Sequence, residues 1–523
     1  MNLLTDPLFR TRTNQGVELM SLPELLASYG EKRVQQLVGL QRHQHDAFHV
    51  FLCYLAGAVL AKRNETNPIQ KAEYWREGLL RLADSAGMDA WRLVVDDPAK
   101  PAFMQPPLLT ADQKPTSVVT TPDELDVLQT AKNHDVKRAR ANWADVDTWI
   151  YSLISLQTMS GFMGRGNQGI SRMNSGFGNR PIVEVIRTHN IGERWLDAVS
   201  RLLDHRHEVF QKPFGFKPDG MVLVWLAPWD GEQQLSLQEL DPFYVEICRR
   251  VRLKGPLNSL SAMLYSANQQ RIAAKQLAGV VGDAWLPIDE TRAKMGKDGQ
   301  LGGIKALTFP PTGITIEHLR SILFGDYVTH ALQRPHPSWQ NDLWLSVSVL
   351  VRGQGTTDGF YSKEVRIPRG KVSILFGSAP KRDWLGGLSR SGIDSASAMR
   401  NRVLKYAVFS YLQGAPDDVK WDQNYSSSVW TSIERRFESL WSDEYFPWLF
   451  SLTESESEDA ALERWINILR QHGLQVIEEA VQVLPSHTGR QYQVKTAIRS
   501  RFWGAYFRTF PNMRGDDVGQ STV

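Results

Sequence analysis

Val372-Ser373-Ile374-Leu375-Phe376, followed by Gly377-Ser378-Ala379-Pro380-Lys381-Arg382-Asp383-Trp384-Leu385-Gly386-Gly387-Leu388-Ser389-Arg390-Ser391-Gly392, is where this chain changes character. The first five residues are mostly apolar, with β-branched Val372 and Ile374, and read as a strand. The next sixteen are rich in glycine and read as a linker. Beyond them the apolar spacing is helical, with long helices expected over 393–413, 428–452, 456–484 and 486–509. Gly414-Ala415-Pro416 closes the first of these, and Pro485 separates the last two. Four such helices with short connections imply an antiparallel bundle. Upstream, Met221–Trp225, Leu343–Val351 and Glu364–Ile367 read as strands. The segment 20–90 and Trp143–Met159 read as helices, the latter amphipathic, and Ser21-Leu22-Pro23-Glu24 has capping character. The expected class is α+β: a mixed α/β domain over 1–376, a linker over 377–392, and an all-α four-helix bundle over 393–523.

Composition narrows the function. The 523 residues include 42% hydrophobic and 22% charged positions, with a formal net charge of +3. Nucleic-acid contact must therefore come from local patches rather than from a general cationic coat. Two cysteines, Cys53 and Cys248, lie far apart without CxxC spacing, which excludes a cysteine-based zinc site and a disulfide framework. The longest apolar run, Val50–Ala61, is too short for a bilayer. The amino terminus lacks a basic region followed by an apolar stretch, so a cytoplasmic protein without membrane association is expected.

Five segments carry the residue types that nucleic-acid binding requires. Lys132-Asn133-His134-Asp135-Val136-Lys137-Arg138-Ala139-Arg140 combines cations for phosphates with polar edges for bases; composition alone favours a solvated basic turn. Gly161-Phe162-Met163-Gly164-Arg165-Gly166-Asn167-Gln168-Gly169 contains GxGxxG, but a helix precedes it where the dinucleotide fingerprint needs a strand. Its glycines suit either close backbone approach to a groove or a tight turn packed on its own domain. Leu345–Val351 leads into Arg352-Gly353-Gln354-Gly355 and out through Phe360–Val365, a hairpin whose tip would serve as a wedge or as an ordinary exposed turn. Arg271–Lys275 follows Arg249, Arg250, Arg252 and Lys254, a pattern that more simply gives a solvated helix face. The last helix carries Arg490, Lys495, Arg499, Arg501, Arg508 and Arg514 with no acidic residue between Pro485 and Gly515. That face suits a displaced strand or a partner, or else the acidic Glu454–Asp459 segment.

Two features imitate metal chemistry. His45 and His49 sit at i, i+4, and His45-Asp46 and His134-Asp135 are the dipeptides of a metal-dependent phosphohydrolase or nuclease, the alternative reading. No third ligand is spaced to complete either site, and neither a GxSxG elbow nor a GxxxxGK[ST] loop is present.

In order along the chain, Met1-Asn2-Leu3-Leu4, Pro101-Ala102-Phe103-Met104-Gln105-Pro106, Lys132-Asn133-His134-Asp135, Leu156-Gln157-Thr158-Met159-Ser160-Gly161-Phe162, Ser171-Arg172-Met173-Asn174-Ser175-Gly176-Phe177 and Arg352-Gly353-Gln354-Gly355, with the terminal bundle, resemble the CasA family. This is the large subunit of the type I-E CRISPR surveillance complex, Cascade. The resemblance implies a non-enzymatic subunit that recognises the short PAM marker in duplex DNA from the minor groove; some relatives carry a cysteine-rich zinc site, which the two cysteines of this chain cannot form, so no metal or cofactor is expected. It maps a glycine loop to Gly161, Phe162, Gly164, Arg165, Gly166 and Asn167, a lysine finger to Lys275, and a glutamine wedge to Gln354 flanked by Arg352 and Gly353. A further loop falls at Lys132, Asn133 and His134. It implies as partners the target duplex, the guide-RNA-bearing complex with its backbone, small and RNA-end-binding subunits, and a helicase-nuclease. Arg490, Lys495, Arg499 and Arg501 would meet the displaced strand or a partner.

Overall fold

The computed structural model describes residues 1–109, 114–127, 145–174, 178–212, 214–291, 293–295, 301–353, 356–414, 416, 418–421, 424–483 and 491–514. The chain divides into two compact units, Met1–Arg369 and Gly370–Val523.

The first unit opens with a hairpin of β1 (Phe9–Thr13) and β2 (Gly16–Met20), followed by helix α1 (Leu22–Gly30). The Glu24 carboxylate accepts from both the Ser21 amide at 2.7 Å and the Ser21 hydroxyl at 2.8 Å, so the expected capping residues do cap α1. Helix α2 (His45–Lys62) is buried around nearly its whole circumference and forms the axis on which α3 (Ala72–Leu82), α4 (Val146–Met159) and α5 (Ile191–Phe210) pack. Helix α4 is buried on every face, not amphipathic, because α2, β1 and the loops around it cover it completely. Trp75, Trp91, Trp149, Trp195, Trp225, Trp229 and Trp285 are fully buried in this unit and supply much of its apolar area.

A three-stranded antiparallel sheet backs the core. Its strands are β3 (Pro181–Ile186), β6 (Leu343–Gly353) and β7 (Thr356–Ile367), with β6 in the centre. Between β3 and β6 in sequence, β4 (Arg250–Lys254) and β5 (Ser261–Tyr265) pair antiparallel in a second sheet. The β6–β7 register runs from Leu343 opposite Ile367 to Gly353 opposite Thr356, with an irregularity between Val351 and Arg352. Met221–Leu223 is extended as expected, but Val224–Leu226 turns into a short 3-10 segment.

The second unit is helical. Here the structure corrects the reading of the dividing stretch. Val372–Phe376 lies in helix α6 (Arg369–Gly377), and the presumed linker 377–392 is mostly helix α7 (Ala379–Ala398). An apolar run of five residues does not distinguish a strand from one side of a helix. Pro380 sits in the first turn, where its missing N–H costs nothing. Gly392 is a packing site: a Cβ there would lie 2.7 Å from the Trp448 ring, and its carbonyl accepts from Trp465 Nε1 at 2.8 Å. A π turn over Met399–Leu404 joins α7 to α8 (Lys405–Leu412), making one long rod. With α9 (Asn424–Ser451), α10 (Glu458–Val483) and α11 (Gln491–Thr509) this gives four long helical rods among the described residues. α9 packs on α10 and α11 on α8.

Ion pairs buried in the first unit tie its sheet to its helices. Asp283 accepts from Arg180 at 2.7 Å, and Glu184 on β3 accepts from Arg194 and Arg201 of α5 at 2.9 and 3.0 Å. Burial alone would raise the Asp283 pKa, but Arg180 and Arg172 outweigh it and hold the carboxyl below the usual range. A carboxyl depressed in the folded state stabilises above its unfolded pKa and loses that contribution as pH falls through its folded pKa. Asp283→Ala strands two buried guanidinium groups and should cost about 3–5 kcal/mol at neutral pH. The difference from wild type should shrink as the medium is acidified. Urea unfolding at several pH values checks this, and a pH-independent difference would contradict it.

Candidate nucleic-acid interface

The glycine loop begins where α4 stops. Ser160 leaves the helix in an extended conformation, and Gly161 then meets the turn end of the β6–β7 hairpin. The Gly161 amide donates to the Arg352 carbonyl at 2.9 Å. A Cβ on Gly161 would lie 2.4 Å from that carbonyl oxygen, 2.9 Å from the Gly178 oxygen and 3.1 Å from Gly353 Cα, so only glycine fits. Gly169 closes the stem against the Gly161–Phe162 backbone. The tip is a turn in which the Asn167 amide donates to the Gly164 oxygen at 3.0 Å and the Met163 amide to the Asn167 oxygen at 2.9 Å. Gly164 has φ +103 and a Cβ there would meet no atom within 4 Å. Gly166 is packed, its carbonyl accepting from the Ala267 amide at 2.8 Å. Arg165 and Asn167 are exposed and Phe162 is half-buried. The loop follows a helix, so its GxGxxG is not a dinucleotide site.

Arg352, expected as an exposed donor at the hairpin tip, is 3% exposed. The irregularity after Val351 turns it inward. Its guanidinium donates to Asp126 Oδ1 at 2.6 Å, to the Val127 carbonyl at 2.7 Å and, more weakly, to Ser160 Oγ at 3.5 Å. Asp126 also accepts from Gln44 Nε2 at 2.8 Å and Ser155 Oγ at 3.0 Å, and the His43 ring nitrogen lies 2.7 Å away. Burial by itself would raise the Asp126 pKa, but the Arg352 charge and the bonds from His43 and Gln44 hold it far below the carboxylate range. The roots of three expected elements therefore meet at one ion pair: Asp126-Val127 ahead of the basic segment, Ser160-Gly161 of the glycine loop, and Arg352-Gly353 of the hairpin. Lys132, Asn133, His134 and Gln354 lie outside the described residues.

Lys275 is exposed at the start of a 3-10 turn, Lys275–Leu277, on the segment that Ala267 ties to Gly166. The arginines near it in sequence do not form a solvated helix face. Arg250 and Arg252 lie on β4, and Arg249, Arg250, Arg252 and Arg271 are all buried. Each spends its guanidinium on backbone carbonyls: Arg250 on Trp229 at 3.0 Å, Arg252 on Lys100 at 2.9 Å, Arg271 on Ala227 at 2.9 Å. In the helical unit Arg499 pairs with Glu478 at 2.6 Å, and Arg501 donates to Tyr406 Oη at 2.9 Å and the Pro416 carbonyl at 3.0 Å. Arg490 and the side chain of Lys495 lie outside the described residues. The acidic segment meets other cations, Glu454 with Lys381 and Glu456 with Arg464. His45 is exposed while His49 packs beside Glu184, and among the described residues no three His, Cys, Asp or Glu side chains are grouped to hold a metal.

No protein-family model and no curated protein matches the sequence. Solved structures do match it end to end. Cse1 of Thermobifida fusca aligns with a TM-score of 0.61 at 14% identity over 98% of both chains. The CRISPR-associated protein Cse1 of Acidimicrobium ferrooxidans aligns at 0.61 and 12% over 98% of this chain and 99% of its own. CasA (Cse1) of Thermus thermophilus aligns at 0.56 and 13% over 97% and 99%. The chain has the Cse1 fold. No helix among the described residues is long and apolar enough to cross a membrane.

Within this Cse1 fold, the supports of the glycine loop carry no sequence signal of their own. Arg249 donates to the Gly161 carbonyl at 2.9 Å and also bonds the Gln168 carbonyl, clasping both ends of the loop. Gln157 in turn accepts from the Cys248 and Arg249 amides at 2.9 and 2.8 Å. Asp126 is one carboxylate in an unremarkable stretch, and nothing local marks it as the partner of Arg352. Gly161→Ala should separate the loop from the turn end of the hairpin and lower stability by about 2 kcal/mol, the order of an overpacked site. Gly164→Ala should cost about 1 kcal/mol, from its positive φ alone. Thermal unfolding of the two variants checks the order, and equal losses would contradict the packing described for Gly161.

Proposed function

We propose that this chain is the large subunit of a type I-E Cascade, a DNA-binding component that performs no bond cleavage itself. In this reading it recognises PAM in duplex DNA through the minor groove, with Gly164, Arg165, Asn167 and Lys275 approaching the groove floor and Gln354 acting as the wedge. Lys132, Asn133 and His134 contact the DNA beside the marker. The guide RNA of the assembled complex then reads the opened strand by pairing, and the subunit helps bring in the helicase-nuclease. The observation that carries the proposal is Gly164: a bare backbone tip at positive φ, with open space beyond it, held on a stem that is pinned on both sides. A bare tip costs no side-chain volume where it enters a narrow groove. The neighbouring Cse1 folds and the order of the CasA-like segments support the same reading. Minor-groove patterns are degenerate, so recognition should tolerate several related markers.

In assembled complexes, Gly164→Asp should weaken binding to PAM-bearing duplex by about tenfold or more while leaving PAM-less binding little changed. Its unfolding temperature should stay close to that of Gly164→Ala. Gln354→Ala should slow strand opening more than it weakens first capture. Equilibrium binding and stopped-flow opening of a base-analogue-labelled duplex measure the two. Unchanged PAM dependence in the first variant, or unchanged opening in the second, would overturn the assignment.

A further inference from the structure

A cleft of about 410 Å³ opens in the first unit between helix α5 and the segment 336–341 that leads into β6. That volume falls in the range of about 300–1,000 Å³ typical of small-ligand sites. No residue of the glycine loop or the hairpin tip lines it. One wall is built on Arg201, which is 6% exposed. The edges of its guanidinium are all used. Nε donates to the Asp197 carbonyl and Nη1 to the Leu332 and Arg334 carbonyls, each at 3.3 Å, and Nη2 donates to Glu184 at 3.0 Å. Its flat faces are left for packing, and the Trp339 ring centroid lies 4.9 Å away. Arg187 lies 5.8 Å from the same ring and grips the Asp197 carboxylate with Nε and Nη2 at 2.7 and 3.1 Å. The half-buried indole therefore lines the cleft on a fixed backing.

The rim is polar and uncharged. Ser200, Gln340 and Asn341 are exposed, and their side chains make no hydrogen bond among the described residues. His336 Nδ1 accepts from the Ser338 amide at 3.2 Å, so in the neutral ring Nε2 carries the proton and is left to donate. The charges of the cleft balance. Arg187 is paired with Asp197, and Arg201 with Glu184, which it shares with Arg194; Arg194 also reaches Asp46. The next charges along the two walls, Asp204 and Arg334, are opposite in sign. No cation is left over for a polyanion. An aromatic wall beside two carboxamides suits a flat, uncharged heterocycle with hydrogen-bonding groups on its edge. We propose that this cleft binds a purine nucleoside of the adenine type. The base lies against Trp339. A carboxamide presents a donor and an acceptor side by side, the complement of the adenine amine and N7, whereas guanine shows two acceptors on that edge. The Ser200 hydroxyl and His336 Nε2 serve the sugar hydroxyls. With charge balanced, salt should change binding little and a phosphate on the sugar should add little, the opposite of a nucleic-acid track. The inference goes beyond the proposed function and stands on residues that the marker-reading elements do not use.

Isothermal titration of the full-length chain with adenosine, guanosine and adenosine monophosphate tests it. Adenosine should bind saturably, with guanosine about tenfold weaker, the order of one lost carboxamide pairing. The monophosphate should fall within about threefold of adenosine, and a tenfold rise in salt should leave both unchanged. Trp339→Ala should weaken adenosine by about tenfold through lost stacking. Because Trp339 also packs on Arg201, a rim variant carries the test independently of folding. Gln340→Ala with Asn341→Ala alters two exposed side chains, should keep the wild-type unfolding temperature, and should weaken adenosine by about tenfold while removing the preference over guanosine. Absence of saturable adenosine binding, equal wild-type affinity for guanosine, or an unchanged affinity in the rim variant would each overturn the proposal. So would displacement of adenosine by glucose, or salt-dependent binding of oligoadenylate in preference to adenosine. Gly164→Asp should bind adenosine as wild type does, so failure of the marker reading and failure of this site are told apart.

Discussion

The ion pair between Arg352 and Asp126 is the constraint around which the glycine loop, the turn end of the β6–β7 hairpin and the segment at Asp126–Val127 are arranged, in the literal sense that three chain segments distant in sequence end on it. Both residues are 3% exposed. A buried pair of this kind is weak evidence for net stability, since desolvation offsets much of its attraction. What it supplies is placement. Arg352 reaches the Val127 carbonyl and Ser160 Oγ with the same guanidinium, while its own carbonyl receives the Gly161 amide. Moving any one of the three segments would strand charge or amide groups away from water, so the segments hold a common geometry.

This arrangement explains the division of labour among cations in the first unit. Arginines that look available in the sequence are largely structural: Arg249, Arg250, Arg252 and Arg271 spend their donors on loop carbonyls. Loops that follow no regular hydrogen-bond ladder must find donors elsewhere, and a buried guanidinium satisfies several carbonyls at once. At the candidate site, the groups left facing solvent include the Gly164 tip with Arg165 and Asn167, and Lys275.

Much of the fold was legible from periodicity. The long strand Leu343–Gly353, the buried helix His45–Lys62 and the four carboxy-terminal rods all follow from apolar spacing. The failures share a cause. Val372–Phe376 and Gly377–Gly392 read locally as strand and linker because their partners lie elsewhere in the chain: Gly392 admits Trp448, and Pro380 starts a helix within the expected linker. At the candidate site the glycines announced close approach, and Gly161 and Gly164 show two different reasons for it, one internal and one outward. Arg352 was legible as important but not as buried, since its partner lies more than two hundred residues away. Pairings at that separation leave no mark on either local sequence.

Amide hydrogen exchange tests the shared anchorage most directly. In a charge-neutral double variant, Asp126→Asn with Arg352→Gln, no lone buried charge is left to unfold the unit as a whole. Residues 160–169 and 345–360 should then exchange faster together, by about tenfold, while the helix Ile191–Phe210 keeps its protection. Acceleration confined to the hairpin, with the glycine loop as protected as before, would show that the loop does not depend on this pair and would contradict the account.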